Sequence, residues 1–161
     1  MTSVPSVDGS PAEITEALLT ASRALVAVAA RSLAAAAGAE VTLPQYRALV
    51  VLAAKGQCRV GDLADALEIH PSTATRLCDR LVEHKLVKRA VDRANRRETA
   101  ISLSANGRDV VENVTTVRRR EIRAIVDRIP EELQRPAIAA LRAFSDAAGE
   151  PAQASWTLGW S

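Results

Sequence analysis

Between Pro71 and Arg97 lie the residues whose types suit recognition of a charged, edge-patterned surface. The segment PSTATRLCDRLVEH places Ala74, Leu77, Cys78 and Leu81 at i, i+3, i+4 and i+7, an inward stripe on a helix. The opposite arc carries Ser72, Thr73, Arg76, Asp79, Arg80 and Glu83, with Thr75 at its edge. Arginines can fork onto guanine or phosphate, and small hydroxyls let a helix come close, so this is the chemistry of a DNA major-groove reader. Downstream, VDRANRR joins two strand-like runs, Leu86–Val91 and Glu98–Ser104. Its Arg93, Arg96 and Arg97, with Lys88 at its base, suit phosphates or an adjacent narrow minor groove. Within Lys85–Arg97 there are 6 basic residues and 1 acidic residue, Asp92.

These side chains need a scaffold, and the flanking sequence supplies one. Asp62–Leu67 reads as a short helix with Leu63, Ala64 and Leu67 inward, and Glu68-Ile69-His70 as a turn. The pair from Asp62 to His84 is a helix-turn-helix, and the cationic hairpin after it makes a winged one. Thr42 through Ala54 reads as the preceding helix. Thr42 and Gln45 fit a capping box, Pro44 sits in the first turn, and Lys55-Gly56-Gln57 ends it. Ser104 caps a long helix from Ala105 to about Arg128, with Val110, Val114, Val117, Glu121 and Ile125 in one row. Pro130 breaks it, and a last helix to about Ala147 carries Leu133, Ile138, Leu141 and Phe144. Pro136 predicts a kink or restart there. At the other end a helix runs from about Pro11 to Ala37, with Gly38 as its stop. Its second half is apolar on most faces, which predicts burial against a second subunit.

The fold class is therefore mainly α: a winged helix-turn-helix with a small β-hairpin wing and N- and C-terminal dimerisation helices. Residues 1–10 read as a mobile N-terminus, 11–38 as a dimerisation helix and 39–104 as the DNA-binding lobe. Residues 105–148 read as further dimerisation helices and 149–161 as a tail carrying Trp156 and Trp160.

Composition narrows the function classes. Of the 161 residues 48% are hydrophobic, enough for a core, but only Tyr46, Phe144, Trp156 and Trp160 are aromatic. The net charge is only +2, yet Lys55–Arg108 holds 11 Lys/Arg against 7 Asp/Glu, so basic charge concentrates on the expected reading lobe. Two cysteines, Cys58 and Cys78, do not make a disulfide framework. Cys78 lies on the inward stripe as a small hydrophobe; Cys58 falls in the loop before the short helix and is the candidate redox switch. His70 and His84 have no partners at metal-ligand spacing, and His70 reads as a cap of the reading helix. No nucleophile triad, phosphate-binding glycine loop or carboxylate pair is evident, so neither enzyme activity nor a cofactor nor a metal is expected. Arg118-Arg119-Arg120 reads as a solvated face or as interchain ion pairs. The N-terminus has no leader pattern, and Arg31-Ser32 divides the apolar run, so no membrane span is expected and the setting reads as cytoplasmic.

The residues resemble the MarR (multiple antibiotic resistance regulator) family. The resemblance rests on VTLPQYRALVVLA at Val41–Ala53, DLADAL at Asp62–Leu67, PSTATRLCDRLVEHKLVKR at Pro71–Arg89 and NRRETAISLSANG at Asn95–Gly107, and covers about residues 11–148. It implies a homodimer with interlocked terminal helices, two winged lobes on a pseudo-palindromic double-stranded operator, and repression relieved by a small-molecule effector or an oxidant. By this match Ser72, Thr73, Thr75 and Arg76 fall where the family reads bases or phosphates, and Arg96 and Arg97 on the wing's arginine pair. The sequence departs from the family at Asn95, where the wing usually has Asp, and at Pro136. It departs also at His84-Lys85, where the turn usually has Gly; a non-Gly residue at positive φ costs about 1 kcal/mol. The alternatives are a redox regulator acting through Cys58 and a winged-helix protein-interaction module without DNA binding.

Overall fold

The computed structural model describes residues 9–37, 41–91 and 99–149. Outside them fall Gly38, the hairpin tip with Asp92, Arg93, Asn95, Arg96 and Arg97, and Trp156 and Trp160. In chain order the elements are α1 (Pro11–Ala37), α2 (Leu43–Lys55), β1 (Cys58–Arg59), α3 (Val60–Leu67), α4 (Pro71–Glu83), β2 (Val87–Val91), β3 (Thr99–Leu103), α5 (Ala105–Val126) and α6 (Glu131–Ala147). The strands form an antiparallel sheet in the order β1-β3-β2, with Val87 opposite Leu103, and Cys58 opposite Ile101.

Several helix ends follow from single residues. Thr42 and Gln45 make the expected reciprocal capping box on α2 (Thr42 N–H to Gln45 Oε1, 2.8 Å). Ser104 caps α5, its hydroxyl accepting the Gly107 N–H at 3.0 Å. Two helices end with a non-glycine residue in the left-handed region: α3 at Glu68 (φ 55) and α4 at Lys85 (φ 57). Both ends are Schellman motifs. After α4, Leu86 N–H bonds Leu81 O and Lys85 N–H bonds Val82 O, each at 2.9 Å. Of the His84-Lys85 pair expected to hold this turn, Lys85 bears the positive φ and His84 does not (φ −77), and the two hydrogen bonds and the buried Leu86 offset its cost.

The core sits within the winged lobe and under α5. Leu49, Leu52, Leu63, Leu81, Ile101 and Val114 are essentially inaccessible, joined by Ala74 and Cys78 from α4. Leu77, expected inward, is only half-buried. Along α1 only Val28, Ser32 and Leu33 are fully covered. The Arg31-Ser32 step does not interrupt that helix: the Ser32 hydroxyl donates to Val28 O at 2.7 Å, and Arg31 reaches across to Glu121 of α5 at 2.8 Å. That ion pair explains an acid in the otherwise apolar row of α5. By length and composition Pro11–Ala36 is nevertheless apolar enough to cross a membrane, which the sequence reading had set aside.

Three expectations need correction. Cys58 and Arg59 form a strand, not a loop, and α3 starts at Val60 rather than Asp62; Asp62 accepts the Arg59 N–H at 3.2 Å and fixes that start. Of the kink or restart expected at Pro136, the restart is ruled out: the last helix runs through that residue. Proline there removes one N–H facing Glu132, in an exposed stretch where water can serve the orphaned carbonyl. Arg118 is not on a solvated face: its guanidinium lies over the Tyr46 ring, 5.2 Å from the centroid.

Candidate nucleic-acid interface

Helix α4 presents two unlike faces. Ala74, Cys78 and Leu81 are buried against the lobe, which leaves the opposite arc outward. Ser72, Thr73, Thr75, Arg76 and Arg80 are all exposed. The helix is opened by Pro71 and capped by His70, whose Nδ1 accepts the Ser72 N–H at 3.3 Å and lies 2.9 Å from the Ser72 hydroxyl. Thr75 Oγ1 donates to Pro71 O at 3.0 Å, which keeps the hydroxyl on the helix surface with its lone pairs outward. Arg76 Nε donates to Ser72 O at 3.3 Å, folding the guanidinium toward the N-terminal end. Positive charge therefore collects at the helix end whose backbone already favours anions.

Beside this helix stands the sheet. Lys88 is exposed on β2 opposite Ser102. Strand alternation puts Lys88 and Arg89 on different faces. Arg89 is the one turned to α4, where it makes an ion pair with Asp79. The basic cluster was visible in the sequence, but the parity that selects Arg89, and its acid ten residues earlier on another element, were not. Asp79 accordingly belongs to the contact between helix and wing. Arg93, Arg96 and Arg97 lie outside the described residues.

The cysteines differ in surroundings. Cys78 is buried on α4, and burial pushes its thiol up to about 11, with the neighbouring Cys58 and Asp79 adding and Arg89 opposing. Cys58 is half-buried on β1; burial first, then Asp62, raises its thiol, against a smaller lowering by Lys55. Both shifts reduce the thiolate available to an oxidant at neutral pH.

A second cluster lies between α2 and α5. Tyr46 is 4% exposed and its hydroxyl is 3.4 Å from Thr115 Oγ1. Arg118 covers the ring, and its Nε is shut from solvent with no hydrogen-bond partner among the described residues. Nothing in the sequence singled out Arg118 for this cluster, because an arginine triplet gives no sign of which member turns inward.

The chain is similar to known proteins in both sequence and fold. The MarR family profile matches residues 39–98. An uncharacterised HTH-type transcriptional regulator of Bacillus subtilis, YsmB, is 32% identical over 92 residues, 57% of this chain and 63% of the relative, so the match spans under two thirds of that protein. The crystal structure of RV1404 from Mycobacterium tuberculosis superposes with TM-score 0.82 at 42% identity, covering 91% of this chain and 99% of that one. A MarR family protein from Bacillus stearothermophilus superposes with TM-score 0.76 at 25% identity, covering 86% and 95%. The two-faced reading helix, the antiparallel wing and the flanking long helices thus occur together in a chain that belongs to the MarR family of winged helix-turn-helix transcriptional regulators.

Proposed function

We propose that this protein is a sequence-specific, DNA-binding transcriptional regulator, a cytoplasmic homodimer that represses from a pseudo-palindromic operator and is released by a small molecule. The outward arc of α4, with Arg76 and Arg80 exposed beside a basic sheet in a MarR family chain, carries this reading. Ser72, Thr73, Thr75 and Arg76 face the bases of the major groove. Arg80 and Lys88 take phosphates, and Arg93, Arg96 and Arg97 follow the backbone into the minor groove. The dimer is supported by apolar side chains the single chain leaves open. Ile14, Leu19, Leu25 and Val26 on α1, and Leu133, Ile138, Leu141 and Phe144 on α6, are each more than half exposed. A second copy covers them better than a bilayer does, because α1 carries an Arg31–Glu121 pair and packs along α5. Two reading helices in such a dimer stand about one DNA turn apart, about 34 Å.

The effector enters between α2 and α5, beside Tyr46 and Arg118. The Arg118 cation with an unpartnered Nε favours a small anion, and its ring contact favours a flat one. A molecule that favours one separation of the two lobes shifts the population on or off DNA. The raised thiols at Cys58 and Cys78 favour this reading over a redox switch.

Selection of bound DNA from random sequence tests the reading. The expected product is an inverted repeat with half-sites about one turn apart. Neutralising Arg96 and Arg97 weakens binding and lowers the salt slope. Recovery of no enriched sequence, or a salt slope unchanged by neutralisation, overturns it in favour of a protein-interaction module.

A further inference from the structure

We propose that Ser104, acting through the Lys85-Leu86 turn, is a positioning residue that sets the angle of the reading helix to α5 and so the half-site spacing the dimer accepts. The inference rests on the two-lobed DNA reading above. Its basis is the way two distant segments are joined. The turn after α4 is fixed to that helix by the paired Lys85 and Leu86 bonds to Val82 O and Leu81 O. The same turn is fixed to the start of α5. Ser104 Oγ donates to Lys85 O at 2.7 Å while accepting the Gly107 N–H at 3.0 Å, and Ser104 N–H donates to Leu86 O at 3.0 Å. Ser104 is 7% exposed, so water cannot replace these partners. Gly107 closes the joint: a Cβ there would collide with the Leu86 carbonyl oxygen, so only glycine allows this approach.

The joint lies at the far end of α4 from its reading residues, and this gives it leverage. Helix α4 has 13 residues. At that length, about 20 Å, a rotation of about 10° about the C-terminal end moves the N-terminal end by roughly 3.5 Å, about one base-pair step. Ser72, Thr73 and Arg76 all sit at that moving end. Helix α5, on the other side of the joint, packs along α1, one of the helices with open apolar faces. The orientation of α4 relative to the dimer therefore passes through Ser104.

Three substitutions separate capping from positioning. Ser104→Thr keeps the acceptor for Gly107 and the donor for Lys85. Ser104→Asp keeps the capping acceptor but has no proton for Lys85 O. Ser104→Ala loses both. Each full-length variant is titrated against the selected operator, remade with half-site separations about 2 base pairs either side of one turn. Thermal unfolding is followed alongside. Wild type and Ser104→Thr are expected to share a sharp optimum. Ser104→Asp and Ser104→Ala are expected to lose about tenfold at that optimum and little elsewhere, flattening the profile. Ser104→Asp is expected to unfold below the wild-type temperature, because Lys85 O loses its donor, but as cooperatively, so that it is still folded where binding is titrated. If Ser104→Asp keeps the wild-type profile, Ser104 only caps α5 and the proposal is overturned. It is equally overturned if binding falls by one factor at every spacing, the signature of an added charge. Absence of any optimum in wild type defeats the two-lobed reading itself, a different result from either.

Discussion

The winged lobe and the terminal helices treat their apolar residues in opposite ways. In the lobe, α2, α3, α4 and the sheet close on one another until Leu49, Leu52, Leu63, Leu81 and Ile101 are nearly or wholly inaccessible. In α6 not one residue is buried, although Leu133, Ile138, Leu141 and Phe144 are as apolar as anything in the core. Burying one such side chain is worth about 1.5–3 kcal/mol, so the lobe is stabilised within one chain while α6 has that stabilisation still to gain. The difference separates a lobe whose core is closed within one chain from terminal helices whose apolar faces that chain leaves open.

One pair of substitutions can break that comparison, and its effects should be the largest. Leu52→Ala opens a cavity in the closed lobe and is expected to cost about 2–5 kcal/mol in chemical denaturation, independent of protein concentration. Leu141→Glu places a charge on the open face of α6. It is expected to abolish the two-chain mass in sedimentation, to remove the concentration dependence of thermal unfolding, and to weaken operator binding by at least about a hundredfold through loss of the second lobe. A Leu141→Glu protein that sediments as two chains and binds normally would place the subunit contact elsewhere.

The two regions were also unequally legible in the sequence. The lobe announced itself because its signals are local: Pro71 opening α4, Thr42 with Gln45, Ser104 as a cap, and the inward row of Ala74, Cys78 and Leu81. What escaped depended on partners far along the chain. A strand of two residues, Cys58 and Arg59, has no period to detect and exists because β3 offers an edge. Arg118 turns inward because Tyr46, 72 positions earlier, offers a ring. Glu121 breaks an apolar row because Arg31 lies across from it. In α6 the proline suggested a break, but a helix with an exposed back tolerates one lost hydrogen bond. The reading of which α4 residues face outward agrees with the structure, where Ser72, Thr73, Thr75, Arg76 and Arg80 are all exposed. The sequence reading was incomplete at the wing base, where β-strand parity and not composition selects Arg89 over Lys88 as the neighbour of α4.

A medium effect sharpens the closed half of the comparison. Cys78 is wholly inaccessible, and burial pushes its thiol up to about 11 from an ordinary value of 9.0. As pH rises past about 9, the unfolded chain releases this proton while the folded chain holds it, so folding stability falls until the folded thiol also titrates. The loss between those limits is expected to reach about 2–3 kcal/mol. Cys78→Ala lowers stability at neutral pH but removes that slope. Denaturation of both proteins from pH 8 to 11 decides the matter: curves that stay parallel would mean the thiol titrates alike in folded and unfolded chains.

The smallest effect concerns charge where the lobe meets DNA. Asp79 and Arg89 pair across α4 and β2 with side chains 48% and 43% exposed, so water screens them, and Asp79→Asn should change stability by less than about 1 kcal/mol. Its effect on DNA should be of another kind. The substitution frees the Arg89 cation beside the reading helix and removes one negative charge that repels phosphate. Binding to non-specific duplex should tighten, and the slope of log affinity against log salt should steepen by up to about 1. Specific binding should gain less, because the freed Arg89 no longer ties the wing strand to α4, so the ratio of specific to non-specific affinity falls. A pair that serves stability alone would move both affinities equally, or neither. A fall in their ratio at unchanged stability would make Asp79 a residue that holds a cation in place, so that α4, rather than charge in general, does the reading.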